Sequence, residues 1–343
     1  MTSEDEKVAA IVNDDTPDFG SKIDRISEET GWFGEGNATI DAFLAGHIDA
    51  AMAARTLTQP IDVMYSSGDR LAKQNQSEGQ EVVPELEWTE CQLWNLWYSI
   101  LHSAKRIPYT EEARHGKLLD LVTAIHACPD PPAPKPRPRD WIYREDGKVW
   151  SALLLLGPSG RESWNDCPGC GAGWSVPERC AWVNVNAWVA RLTAEGPIPG
   201  YFAVYGLWAL GAAFESPLEL PEHTHRPRPS VKIERELLVE TAAVWVKFAG
   251  KYLYSLRDEE MEEKEGDKMQ VSDLNTPEAQ LPWRVNQAEW TTYCKGRWDF
   301  WKRRFKVVAR GEGLEDGEEA LSGEIRELAA EAAQVIRGLL GIE

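Results

Sequence analysis

Seven polar residues stand beside bulky apolar ones in segments rich in tryptophan. Arg161, Glu162 and Asn165 lie in Arg161-Glu162-Ser163-Trp164-Asn165. Asn184, Asn186 and Arg191 lie in and just after Trp182-Val183-Asn184-Val185-Asn186-Ala187-Trp188, and Glu215 follows Ala212-Ala213-Phe214. An arginine fork can hold a carboxylate or phosphate, amides can orient what it holds, and an indole offers a flat face for stacking. A carboxylate in that company could also act as a general base. The same residues have a second reading, an internal network. In it Arg191 pairs with Glu162 or Glu215, and the asparagines bond backbone carbonyls or cap helices. The network is the preferred expectation, because structural ion pairs also gather polar groups beside apolar cores.

A second constellation is Cys167-Pro168-Gly169-Cys170, followed by Cys180. Two cysteines two apart can aim both sulfurs at one ion, but a structural zinc takes four ligands. Cys167, Cys170 and Cys180 would supply three, and the fourth would have to be Cys128, His223 or His225, since no second Cys-x-x-Cys exists. The expectation is no metal and no cofactor. A redox pair is set aside, because its usual context is strand, motif and helix within an α/β fold.

A third run is cationic: Arg297, Lys302, Arg303, Arg304, Lys306 and Arg310, interleaved with Trp298, Trp301 and Phe305. Basic residues among aromatics can bind single-stranded nucleic acid. At three- and four-residue spacing, however, the aromatics read as the core side of a helix and the charges as its solvated side. The formal net charge of −19, from 37 basic and 56 acidic residues, repels phosphate backbones and anionic lipid. Neither nucleic acid nor membrane is expected as a partner. Gly157-Pro158-Ser159-Gly160 lacks the spacing of a nucleophile elbow, and there is no His-Glu-x-x-His, phosphate loop or dinucleotide fingerprint. His47, His102, His115, His126, His223 and His225 are dispersed; His47 and His102 read as satisfied helix residues, and His223 and His225 as surface.

The elements that must position these groups are helical. Apolar stripes at three- and four-residue spacing predict helices over 39–57, 60–73, 89–104, 111–127, 149–156, 181–193, 201–214, 231–255, 287–309 and 318–340. Asn37 or Thr39 offers the first cap, and Thr89 a later one. Strand-like alternation is nowhere sustained, so the fold class is all-α: a single irregular multi-helix domain with a Trp-rich core. Its 16 tryptophans would leave large apolar patches if they faced water, so most must be inside. The acidic stretch 1–37 reads as a disordered tail and 38–343 as the helical domain, with a Pro-rich loop over 128–140 and an acidic loop over 257–282. The apolar run 201–214 is too short to span a bilayer. Without a secretory signal, and with six scattered cysteines, the chain is expected to be cytoplasmic with reduced thiols.

Several of these segments, in this order, resemble the DUF3632 family of uncharacterised fungal helical proteins. They are Ile40-Asp41-Ala42-Phe43-Leu44-Ala45-Gly46-His47-Ile48-Asp49, the Arg161 and Trp182 segments, and Ala212-Ala213-Phe214-Glu215. Trp245-Val246-Lys247-Phe248-Ala249-Gly250 and Gly296-Arg297-Trp298-Asp299-Phe300-Trp301 complete the set. The resemblance implies a mostly helical protein with no established activity, and it brings no catalytic residues; the Cys167–Cys170 insertion departs from the family pattern. The resulting expectation is a non-catalytic interaction or scaffold protein with a protein partner. The alternative is a small-molecule binder or an enzyme of specialised metabolism with a Trp-lined polar pocket.

Overall fold

Apolar residues at helical spacing make twelve α-helices among the described residues, and no strand occurs there beyond an isolated bridge between Pro168 and Ala172. The computed structural model describes residues 3–68, 88–135, 137, 141–144, 146–215, 218, 229–257, 292–315 and 317–341. The chain divides into two compact units, Met1–Val185 and Asn186–Glu343, and the division falls inside one helix, α8.

The first unit contains α1 (Ser3–Asn13), α2 (Phe19–Thr30), α3 (Ala38–Leu44), α4 (Ala50–Ser67), α5 (Thr89–Arg106), α6 (Glu112–His126) and α7 (Leu156–Ser163). A 3-10 turn (Trp164–Asp166) follows, and then the start of α8 (Val176–Glu195). Helix α5 packs against α2, α4, α6 and α7. Its Leu93, Trp97, Ile100, Leu101 and Ala104 have no exposure at all.

Within 3–37, read from the sequence as part of a disordered tail, the structure has α1 and α2. Asp18 caps α2 by accepting the Ser21 N–H at 3.1 Å, and Ile23 and Ile26 are fully buried. They cluster with Val8 and Ile11 of α1 and with Trp32, Ala172 and Ala181. The segment's apolar residues are few, but Val8 and Ile11, like Ile23 and Ile26, sit three apart. Each helix therefore has a narrow buried stripe that the surrounding acids obscure.

The stripe expected over 39–57 is broken. Asn37 caps α3 through the N–H groups of Thr39 and Ile40, and Asp49 then caps α4 at Met52 N at 2.7 Å. The separate helix expected to start at Pro60 does not occur: Ala53, Ala54, Thr58, Ile61 and Tyr65 are buried along one face and carry α4 through the proline. The helix expected over 149–156 is a series of turns in which Leu153 and Leu155 have φ of +46° and +72°, values rare for side chains of this size. Asp130, from the Pro-rich segment, holds these turns by accepting N–H groups from Val149, Trp150 and Ser151 at 2.7–3.1 Å. Trp97 Nε1 adds a 2.7 Å bond to the Leu154 carbonyl.

The second unit contains the rest of α8, then α9 (Ala203–Phe214), α10 (Val231–Ser255), α11 (Lys295–Ala309) and α12 (Gly323–Leu339). Helix α10 packs on α9 and α12, and α11 packs on α12 and α9. Trp188, Trp245, Trp298, Trp301, Phe214 and Phe305 are wholly buried. Trp298 and Trp301 meet edge-on at 5.1 Å, and Phe214 meets Phe305 at 4.6 Å.

Trp32, Trp88, Trp97 and Trp150 are likewise buried in the first unit, so most described indoles are buried or half-buried; Trp141 and Trp208 stand exposed. No helix among the described residues is long and apolar enough to cross a membrane. Several expectations lie outside the described residues: the acidic loop beyond Arg257, residues 287–291 of the helix expected to end at 309, His223 and His225, residues 69–73 of the helix expected over 60–73, and residues 136 and 138–140 of the Pro-rich loop.

Candidate functional site

The last turns of α5 bring His102, Lys105 and Arg106 against acidic partners from α2, α3 and the turn after α7. Lys105, 2% exposed, places Nζ 2.5 Å from Asp166 Oδ2, and the same oxygen accepts the Phe33 N–H at 3.2 Å. The ammonium also lies 5.1 Å from the centre of the Trp32 ring. Burial lowers the pKa of Lys105 and raises that of Asp166, against the pull of each partner's charge. One turn earlier, buried His102 places Nε2 2.8 Å from Asp24 Oδ1. Arg106 bridges Asp24 at 3.2 Å and Asp41 at 2.9 Å. Burial lowers the pKa of His102, and its bond to Asp24 opposes the shift.

Of these groups Asp24, Trp32 and His102 line a cleft of about 410 Å³, together with Ser27, Glu28 and Glu35. A smaller one of about 210 Å³ shares Trp32 and Glu35 and adds Asn95, Tyr98 and Ser99. Gly34, at φ +102°, makes the close approach to α5: a Cβ there would lie 2.5 Å from the Tyr98 carbonyl oxygen. The cleft's carboxylates suit a cation, and His102 could exchange a proton. Ser27 Oγ donates to the Gly34 carbonyl at 3.1 Å. The sequence offered no spacing for this site. Asp24 and His102 are 78 residues apart, and all of the larger cleft's lining except His102 comes from a segment read as disordered.

The seven expected site residues divide between the units. In the first, Arg161 and Asn165 are exposed, and Asn165 donates to Glu162 at 3.1 Å. Asn184 is buried: it donates to the Lys105 carbonyl at 3.0 Å and accepts the Tyr109 N–H at 2.9 Å. It thereby ties α8 to the chain leaving α5.

In the second unit Asn186 is fully buried and accepts Trp245 Nε1 at 2.9 Å. Glu215 receives Arg297 through two nitrogens, at 2.6 and 2.5 Å, and Trp301 Nε1 at 2.6 Å. Arg297 also donates to the Thr292 carbonyl at 2.9 Å. The guanidinium of Arg191 lies 3.8 Å from the centre of the Phe248 ring. The sequence pairs Arg191 with Glu162 or Glu215; Arg297 and Trp301 donate to the Glu215 carboxylate.

Helix α11 corrects a second expectation, that its basic residues form a solvated side. Arg297, Lys302 and Arg304 are buried at 6%, 8% and 7% exposure, while Arg303, Lys306 and Arg310 face water. Lys302 is paired with Asp299 at 2.7 Å, and Arg304 donates to the Leu314 carbonyl at 2.8 Å. Nearby Arg235, 1% exposed, pairs with Glu318 at 2.9 Å and with Glu315. Burial lowers Arg304 to about 10, with Arg235's charge adding to the effect. Glu318 also accepts the N–H groups of Leu314 and Glu315, so these charges shape the connection between α11 and α12.

Among the described residues no three metal-binding side chains come together, so the structure does not bring Cys180 or Cys128 into a metal site with Cys167 and Cys170. A family model described as "Protein of unknown function (DUF3632)" matches residues 97–305, more than half of the chain. No curated protein and no solved structure matches it.

Proposed function

Because the chain belongs to the DUF3632 family, which brings no assigned activity, we propose that it is a non-catalytic interaction protein of the cytoplasm. The observation that carries this reading is the fate of the polar residues nominated for chemistry. Glu215 is held by Arg297 and Trp301, Asn186 by Trp245, and Asn184 by two backbone groups of its own unit. Groups bound in this way orient helices and indoles and are not offered to a substrate. A partner surface has some support from α9, where Val204 and Trp208, one turn apart, are 44% and 55% exposed. Tryptophan is among the residues that most often anchor protein interfaces.

A second reading, a small-molecule binder, is favoured by the cleft beside Trp32 and His102, whose volume falls within the range of ligand sites. It uses a different pocket from the one expected from the sequence. Affinity capture of the full chain from native extract, paired with calorimetric titration against organic cations, separates the two. The interaction reading expects a partner retained in fixed stoichiometry and weakened by Trp208→Ala. A chain recovered alone, with saturable heat that Glu35→Gln reduces, would overturn it in favour of the binder.

A further inference from the structure

The turn Cys167-Pro168-Gly169-Cys170 takes no part in the interaction role, yet its backbone is closed. The Cys170 N–H donates to the Cys167 carbonyl at 2.9 Å, and the Ala172 N–H reaches the same oxygen at 3.3 Å. The Gly169 N–H donates to the Ala172 carbonyl at 2.8 Å. Gly169 has φ +92° with the Trp174 ring packed against it, so the turn depends on the missing side chain. A closed turn of this kind keeps its first and fourth Cα atoms within about 7 Å, and most of that range is spanned by disulfides. Cys170 is exposed and Cys167 half-buried. Burial pushes the Cys167 thiol up to about 12, and the nearby Cys170 side chain adds to the effect. The closed backbone holds the two cysteines at the first and fourth positions of one tight turn.

We propose that Cys167 and Cys170 are a redox modification site, forming a reversible internal disulfide with a low-molecular-weight disulfide such as oxidised glutathione as the oxidant. The exposed Cys170 thiolate attacks one glutathione sulfur, the glutathione S–S bond breaks, and the departing thiolate takes up a proton. Cys167 then gives up its proton and attacks Cys170 Sγ, expelling the second glutathione, which is protonated in turn. Two protein thiols lose two electrons, and one glutathione disulfide becomes two thiols. The turn is formed before the reaction, so closing the ring requires little further ordering. It directly follows Asp166, whose carboxylate serves Lys105 and Phe33.

The test is incubation of the full reduced chain in glutathione buffers of stepped potential, followed by intact mass and peptide mapping. The expected product has lost two hydrogens, contains a Cys167–Cys170 linked peptide, and reverts with dithiothreitol. Cys167→Ser should instead accumulate a stable glutathione adduct on Cys170. The proposal is overturned if the wild-type chain accumulates that same adduct, if both thiols stay reduced at potentials that oxidise glutathione fully, or if either cysteine links to Cys180. Zinc retained by the reduced chain and lost in Cys170→Ser would also overturn it.

Discussion

Among the described residues each unit has one ion pair with both partners buried, and the two are built from different cations. In the first unit Lys105 meets Asp166 with an ammonium whose one short bond is to a carboxylate that also accepts the Phe33 N–H. In the second, Arg297 grips Glu215 through two nitrogens, reaches the Thr292 carbonyl with a third, and shares the carboxylate with Trp301. A guanidinium is a rigid fork and an ammonium a strongly hydrated point charge. Desolvation therefore weighs more heavily on the lysine pair, in keeping with the downward shift of Lys105 and the upward shift of Asp166. The arginine pair organises more of its surroundings, because it also satisfies an indole N–H and a backbone carbonyl.

The largest expected effect tests this directly. Glu215→Ala leaves a buried guanidinium and the Trp301 N–H without their acceptor, and should cost about 3–5 kcal/mol in a urea titration. A loss under 1 kcal/mol would mean that water takes over the carboxylate's role. Asp166→Ala should also destabilise, by roughly 3 kcal/mol, through the buried Lys105 ammonium.

The sharper contrast comes from double replacements. Lys105→Met with Asp166→Leu should return to within about 1 kcal/mol of the parent, since a buried pair is often replaceable by apolar groups. Arg297→Met with Glu215→Leu should remain about 1–3 kcal/mol down, because the Trp301 N–H and the Thr292 carbonyl lose their partners. Equal recovery in both doubles would erase the distinction between the units.

Asp130→Ala should cost roughly 1–3 kcal/mol by unpairing the N–H groups of Val149, Trp150 and Ser151, and its loss should appear first as hydrogen exchange in 149–155. The smallest effect is one of pH. Burial holds the pKa of His102 below its ordinary 6.5. Between the folded value and 6.5 the unfolded chain therefore binds a proton that the folded chain refuses, and stability falls as pH drops through that window. His102→Gln should remove that part of the slope while leaving the plateau above pH 7 flat; an unchanged slope would show that His102 is not its source.

The helices and the inward indoles were legible because they follow from side-chain periodicity: the helix over 231–255 runs end to end as its stripe predicts, and the Asn37 cap holds. The break between α3 and α4 was hidden because apolar residues continue across it, while Pro60, a strong local signal, is overridden by burial on the opposite face. Helices α1 and α2 were hidden because their buried residues are few and surrounded by acids. The division within α8 leaves no mark, since both halves of that helix are apolar. Buried charge was the least legible feature. A stripe pattern assigns every arginine of α11 to water, and only the partner, 82 residues away for Arg297 and Glu215, places it inside. The cleft by His102 was missed for the same reason, as its walls meet only in the folded chain.

Gly34 bears on heredity. Any missense allele at that codon would drive a side-chain carbon into the Tyr98 carbonyl and the His102 Cβ, at 2.5 and 2.9 Å. Alleles at Gly31, where nothing lies within 4 Å, would meet only the cost of its left-handed backbone. Two neighbouring glycines should therefore differ sharply in the variation that natural populations carry.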